Sequence, residues 1–355
     1  MHLQRHRRLL WAVLLIGSRV AAFEPAEAWD WHDAPFSLRL GLALDRASNF
    51  TDVVGLSASA AYPYGSSVNP ANDDILRDPP NDFKFALTGT GLYVPFETGA
   101  FITAGAGSAS YRLPGAGTLT LSYSKAGSHD AQSSQGDTFR LNSQDFTLGY
   151  SHRLEKWLAL GGEFKITKST LKFESSLAGF PLNTETDATG YDVRVGGTVT
   201  PAKEWLIALT GGAGWNYAGT SGAVAIPALF GGPMPIDFDT FTRSIVLRAG
   251  LGWRPSEKFG AYVDWQYLRL WTNDDSVSVG RTFAGVEWLP HPAMALRLGG
   301  SVDSAGKTNV STGVGFYGFK HVQLEVAYVY NGFPEVRREF GAAHLLSSSV
   351  VILFW

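Results

Sequence analysis

The sequence contains no cysteine. That excludes a disulfide-stapled scaffold, a thiolate metal site and a cysteine nucleophile. Charge is also scarce: Asp, Glu, Lys and Arg supply 17% of the 355 residues, against about 25% in an average soluble domain. The formal net charge is -3, so the basic excess of a nucleic-acid-binding protein is missing, and nucleic acid is not an expected partner. Beyond the N-terminal region no apolar run reaches the roughly 20 residues of a membrane-spanning helix. What is abundant is glycine (40 residues) and aromatics (22 Phe, 13 Tyr, 11 Trp). Such a composition suits a β-protein whose outer surface faces lipid.

Residues 1–28 read as a signal peptide. Arg5, Arg7 and Arg8 form a basic start, Leu9 to Ile16 an apolar stretch, and Ala26-Glu27-Ala28 a small-x-small cleavage pattern. The mature chain is expected to begin at Trp29. An exported chain without a spanning helix belongs in the periplasm, outside the cell, or in the outer membrane of a Gram-negative bacterium as a barrel.

From Phe83 to Trp355 the period is two, as in half-buried strands. Val322, Leu324, Val326, Tyr328 and Tyr330 share one face; Gln323, Glu325 and Ala327 share the other. Leu296, Leu298, Gly300 and Val302 oppose Arg297 and Ser301. Ile245, Leu247, Ala249, Leu251 and Trp253 oppose Val246, Arg248 and Gly250. A soluble sandwich and a membrane barrel both give this pattern, but three features favour the barrel. Short connections (at Arg153–Lys156, Thr200–Glu204, Arg254–Lys258, Leu289–Pro292 and Tyr317–Lys320) alternate with long ones near 125–141, 174–188, 218–240, 272–278, 303–308 and 331–342. Outer-membrane barrels have short periplasmic turns and longer extracellular loops. Aromatics collect at both strand ends: Trp157, Trp205, Trp253, Phe259, Trp288 and Phe319 by the short turns, Tyr217, Tyr267, Trp271 and Tyr330 by the long loops. They form the expected pair of interfacial girdles. The sequence also ends on a strand-like run to Phe354 and Trp355. That run resembles the C-terminal signal read by the outer-membrane barrel-assembly machinery, an expected partner.

The expected fold is an all-β transmembrane antiparallel β-barrel of about 14 strands (range 12–16), acting as a monomer among outer-membrane lipids. The strands fall near 83–95, 100–112, 116–127, 142–154, 157–173, 189–200, 204–217, 242–254, 258–271, 279–289, 293–303, 309–319, 321–331 and 343–355, an even number as such barrels require. Phe36, Leu38, Leu40, Leu42 and Leu44 also alternate with Ser37, Arg39, Gly41, Ala43 and Asp45, so 36–46 reads as a further strand. Domain organisation is then signal peptide 1–28, N-terminal segment 29–82 and barrel 83–355. A wall of this size encloses more space than its inward side chains fill, since about eight strands already pack solid. Residues 29–82 are available as a plug.

Within that segment Gly65-Ser66-Ser67-Val68-Asn69-Pro70-Ala71, ahead of strands with this turn spacing, resembles the FadL/TodX family of outer-membrane long-chain fatty acid and hydrocarbon transporters. The resemblance implies an N-terminal hatch inside a fourteen-stranded barrel, with Asn69, Pro70 and Ala71 as its signature. It also implies energy-independent uptake of a hydrophobic small molecule through an internal pocket, and lateral release at a wall kink, for which Leu113-Pro114-Gly115 and the glycine-rich 104–107 are candidates. Independently of the resemblance, Pro70 fixes its own φ and biases Asn69 to extended backbone, and the Asn69 amide can bond nearby backbone. An ordinary loop turn satisfies the same facts.

Strand parity turns Glu163, Lys165, Asp192, Arg194, Arg248, Asp264, Arg297 and Glu325 to the lumen. They either pair across strands or hold a plug or a ligand carboxylate, which the arginine fork suits. The segment from Ala218 to Asp239 is apolar for a loop: Ile226, Leu229, Phe230, Met234 and Phe238 are candidate ligand-capturing residues, with Phe180 on the neighbouring connection. Packing of that loop onto the barrel mouth is the alternative. Asp73, Asp74, Asp78 and Asp82 lack the Gly and terminal Glu of a calcium loop and read as a solvated stretch; no metal or cofactor is expected. No His lies beside a Ser or Asp on one strand face, so catalysis has no visible constellation. The leading reading is a passive transporter. The other two are a general diffusion porin for small solutes and a non-transport scaffold or secretion-shuttle barrel.

Overall fold

In a computed structural model, the described residues are 31, 34, 36–48, 56, 60–62, 68–75, 84–129, 131–177, 180–226, 232–273 and 275–355. The expected signal peptide lies outside them. The sheet consists of β1 (Phe85–Pro95), β2 (Phe101–Leu113), β3 (Gly117–Ser128), β4 (Ala131–Gln132), β5 (Thr138–Glu155), β6 (Leu158–Leu177), β7 (Phe180–Ala202), β8 (Trp205–Val224), β9 (Met234–Ser256), β10 (Phe259–Trp271), β11 (Ser276–His291), β12 (Met294–Asp303), β13 (Thr308–Phe316), β14 (Val322–Tyr330) and β15 (His344–Phe354). Each strand is antiparallel to its neighbours. β1 pairs with β15 and β3 with β5, which closes the sheet. The two-residue β4 only pairs with the start of β5. The wall therefore has fourteen strands.

The faces follow the alternation. Leu324, Val326 and Tyr330 of β14 point out, whereas Ala327 and Val329 are buried inside. On β9, Ile245, Leu247, Leu251 and Trp253 are exposed and Arg248 is buried. Trp157, Trp205, Trp253, Trp288 and Phe319 ring the end with the short turns, and the Trp205 and Trp253 rings stand 6.4 Å apart as neighbours in that ring.

Two expectations need correcting. A membrane-spanning strand needs about 9–11 tilted residues. β12 to β14 have 10, 9 and 9 residues, but β6 to β9 have 20 to 23. The supposed long loops 174–188 and 218–240 are mostly strand, and the wall stands much taller on that side. They look like loops because their polarity is reversed, with charges on the outward positions. The second correction concerns 36–46, which is not a strand but part of an α-helix, α1 (Phe36–Ser48). Period two arises because the helix is buried on opposite sides within the lumen. Leu38 and Leu42, one turn apart, pack with Trp31 on Leu268, Leu270, Val277 and Val279. Phe36, Leu40 and Ala43 pack against a separate cluster containing Phe96, Phe139 and Phe340. A helix with an apolar stripe on each side satisfies alternation and helical spacing at once.

Candidate functional site: a lined lumen beneath an apolar mouth

Among the described residues of the N-terminal segment, the Asn69-Pro70-Ala71 turn is firmly anchored. All three residues are buried. Asn69 donates from Nδ2 to Thr198 Oγ1 (2.7 Å) and the Ala60 carbonyl (3.1 Å), and its Oδ1 accepts the Ala71 amide (3.1 Å). Thr198 donates its own hydroxyl hydrogen bond to Asn72 Oδ1 at 2.7 Å, and Asn72 donates to the Tyr62 carbonyl at 3.0 Å. The chain of amides closes without a charge. The turn lies flush on the wall because β6 and β7 present glycine there. A Cβ on Gly161 would sit 2.5 Å from the Pro70 carbonyl carbon, and one on Gly196 would collide with the Asn69 side chain. Asp73 accepts Thr120 Oγ1 at 2.9 Å; Asp78 and Asp82, and the side chain of Asp74, lie outside the described residues. Among the described residues no three His, Cys, Asp or Glu side chains cluster as metal ligands.

The eight lumen charges read from parity pair as Lys165–Asp192 (3.4 Å), Arg194–Glu163 (3.3 Å), Arg248–Asp264 (2.8 Å) and Arg297–Glu325 (3.1 Å). Some also bind described residues of the N-terminal segment. Asp264 accepts the Ala60 amide at 2.6 Å, and Glu287, bound to Arg297 Nε at 2.8 Å, accepts the Tyr62 hydroxyl at 2.7 Å. Burial pushes the Tyr62 phenol well above its ordinary value, against the opposing pull of Arg297, so it remains a neutral donor. Tyr62→Phe should therefore cost about 1.5–3 kcal/mol, the worth of a buried hydrogen bond to a charge, read as a lower urea midpoint for the barrel in lipid vesicles.

Above these N-terminal residues the inner face turns apolar. Phe180 opens β7 on its inward register with Leu182, paired with Val224 of β8; Met234, Ile236 and Phe238 occupy the inward register of β9. Outward positions on the same stretch carry Glu185, Asp187, Asp237 and Asp239. Three of the candidate capture residues thus stand on strands rather than on a loop, with Met234 and Phe238 about half exposed. Ile226 follows the end of β8 and is partly buried; Leu229 and Phe230 lie outside the described residues. Neither proposed kink is one: Leu113 ends β2 at the β2–β3 turn, and 104–107 pairs in unbroken register on both sides.

A matching sequence profile, the outer membrane protein β-barrel domain, covers residues 97–288, more than half of the chain. The chain belongs to that family. This outer-membrane barrel sits in the envelope of a Gram-negative bacterium. It shares its fold with the toluene transporter TodX of P. putida (15% identity, 86% of this chain and 98% of that one, TM-score 0.55). The same holds for the monoaromatic hydrocarbon channel CymD (12%, 85% and 98%, 0.59) and a Pseudomonas aeruginosa FadL homologue (10%, 86% and 98%, 0.57). No curated protein sequence matches this chain. These neighbours bear out the FadL/TodX resemblance at the level of fold.

Sequence reading missed three elements of this barrel's interior: Tyr62, α1 with Arg39, and residues 331–343, which fold inward. Each meets its partners across hundreds of residues, Arg39 and Glu339 being 300 apart, and no local pattern carries such a contact.

Proposed function

We propose that this outer-membrane barrel is a passive channel for hydrophobic compounds. Residues 29–82 act as its hatch, and the tall inner face of β7 to β9 captures ligand. One observation carries the reading, the reversal of polarity along β6 to β9. Within the membrane span the wall is apolar outside and polar inside; above it, charges face out and Phe180, Leu182, Met234, Ile236 and Phe238 face in. Exposed apolar surface of that kind marks a contact with something apolar. A diffusion porin keeps a water-filled lumen, whereas here Asn69, Tyr62, Leu42 and Trp31 occupy it, all nearly inaccessible.

The ligand class follows from charge. Arg39, Lys165, Arg194, Arg248, Arg281 and Arg297 each already hold a carboxylate. An entering fatty-acid carboxylate would have to displace one of them and strand it, which is costly for a buried charge. A neutral hydrocarbon displaces none. In proteoliposomes at neutral pH, naphthalene influx should exceed oleate influx by roughly tenfold, the equivalent of about 1.4 kcal/mol. Equal rates would leave fatty acids as the substrate class.

The capture surface is tested by parity. Phe238→Asp with Ile236→Asp should lower naphthalene influx by about tenfold, as expected for burying a charge in an apolar contact. Asp237→Asn with Asp239→Asn, on the other face of the same strand, should leave it near the parent rate. Equal effects from both pairs would sink the capture surface.

A further inference from the structure

The connection between β14 and β15 does not lie over the surface as loops ordinarily do. Phe333, Glu335, Val336 and Phe340 are all buried, with Glu335 completely so. The segment crosses the mouth on the short side of the wall. Its backbone is tied to the β1–β2 turn through the Thr98 amide to the Phe340 carbonyl (3.3 Å), and to the β3–β5 connection through the Ser134 amide to the Glu339 carbonyl (2.7 Å). Its side chains are tied to α1. Arg39 binds both oxygens of Glu339, at 2.6 and 3.0 Å, and donates from Nη1 to the Glu335 carbonyl at 3.1 Å. Arg281 of β11 binds Glu335 at 2.8 Å and donates to the Leu42 carbonyl of the helix at 3.2 Å.

We propose that residues 331–343 are a lid and that the Arg39–Glu339 and Arg281–Glu335 pairs form its releasable seat on α1, so that lid and helix open together. The inference rests on the channel reading given above. An ion pair suits a seat that must release. Its closed geometry is directional and bidentate, yet its desolvation cost offsets most of its attraction, so water at the mouth compensates the charges when the lid lifts. An apolar seat of the same area would have no such compensation. Inward rings of the neighbouring strands adjoin this seat: Phe173 of β6 lies 4.8 Å from Phe139, Phe139 meets Phe340 at 5.3 Å, and Phe36 of α1 lies 5.2 Å from Phe139. A ligand that wedges between Phe139 and Phe340 separates lid from wall beside the ion pairs.

The absence of native cysteine makes the test clean. Val336→Cys places a thiol under the closed lid, where Val336 is 3% exposed. The full barrel in liposomes is treated with a membrane-impermeant maleimide, and planar bilayers report conductance. Glu339→Ala and Arg39→Ala should each speed labelling by about tenfold and raise conductance, within the range of coupling between linked sites. The double variant should do no more than either single, because the two act through one pair. Naphthalene should speed labelling in the parent and add little in Glu339→Ala. Unchanged labelling in both single variants, with normal heat-modifiable migration to show folding, overturns the lid. So do single effects that multiply in the double variant. If Glu339→Ala fails to fold, Glu339→Gln keeps the packing and removes the charge, and the same two readouts apply. Fast labelling in Glu339→Ala without naphthalene influx in any variant would uphold the seat and overturn the channel reading. Influx with slow, unaltered labelling would do the reverse.

Discussion

Gly161→Val is expected to turn a plugged barrel into a leaky one. The position lies on the inward register of β6, and a side chain there would have to share space with the Pro70 carbonyl carbon and the Ala71 amide, both 2.5 Å from a Cβ. Backbone atoms cannot rotate aside, so either the strand or the Asn69-Pro70-Ala71 turn must move. The strand is hydrogen-bonded to β5 and β7 in continuous register through this point; the turn is held by side-chain bonds. The turn should therefore yield. Overpacking of this kind costs about 1–3 kcal/mol or more, enough to raise the displaced population roughly 10- to 100-fold. Single-channel recordings should show conductance that the parent lacks. Gly162→Val is the control: its Cβ would point to the other face, with nothing nearer than 3.7 Å. A quiet Gly161→Val barrel, or two variants that behave alike, would mean that the turn does not close the lumen.

Asp264→Ala is expected to be among the most destabilising single changes in the wall. Its carboxylate lies in the lumen, 1% exposed, against Arg248 at 2.8 Å, and also accepts the Ala60 amide of the plug. Removal takes this carboxylate from the buried Arg248 and leaves the Ala60 amide without its acceptor. Losing one member of a buried pair costs about 3–5 kcal/mol. The urea midpoint in lipid vesicles should fall accordingly. Arg248→Met with Asp264→Leu should regain most of the loss, because no charge is stranded, but it should not restore the plug's hold at Ala60. Conductance therefore separates the two roles: the double variant should be stable and still leaky. A double variant as unstable as Asp264→Ala would show that wall packing, not charge, decides this site.

These expectations draw unequally on sequence and structure. Period two in β14, β9 and β12 exposed the wall directly, because a strand crossing lipid must alternate and one misplaced charge would meet hydrocarbon. The same rule assigned Arg248, Asp264, Arg297 and Glu325 to the lumen before any partner was known. Asn69-Pro70-Ala71 stood out through the family resemblance and its place ahead of the strands; the structure shows it buried. The rule failed where its premise stopped. Above the membrane the wall no longer meets lipid, so 174–188 and 218–240 reverse their polarity and pass for loops. Inside the barrel α1 has apolar neighbours on opposite sides, so its Leu spacing mimics a strand.

The sequence by itself determined the class of protein, a wall of about fourteen strands, which face of the clearly alternating strands meets lipid, and which charges enter the lumen. All of these are set by neighbours in the chain and by one uniform solvent, the bilayer. Only the tertiary structure decided what those charges hold, which glycines make room for the plug, and that residues 331–343 turn inward onto Arg39 and Arg281. Closing a sheet into a barrel brings together residues as far apart as 39 and 339, and their contacts depend on the whole circumference rather than on any local run of residues.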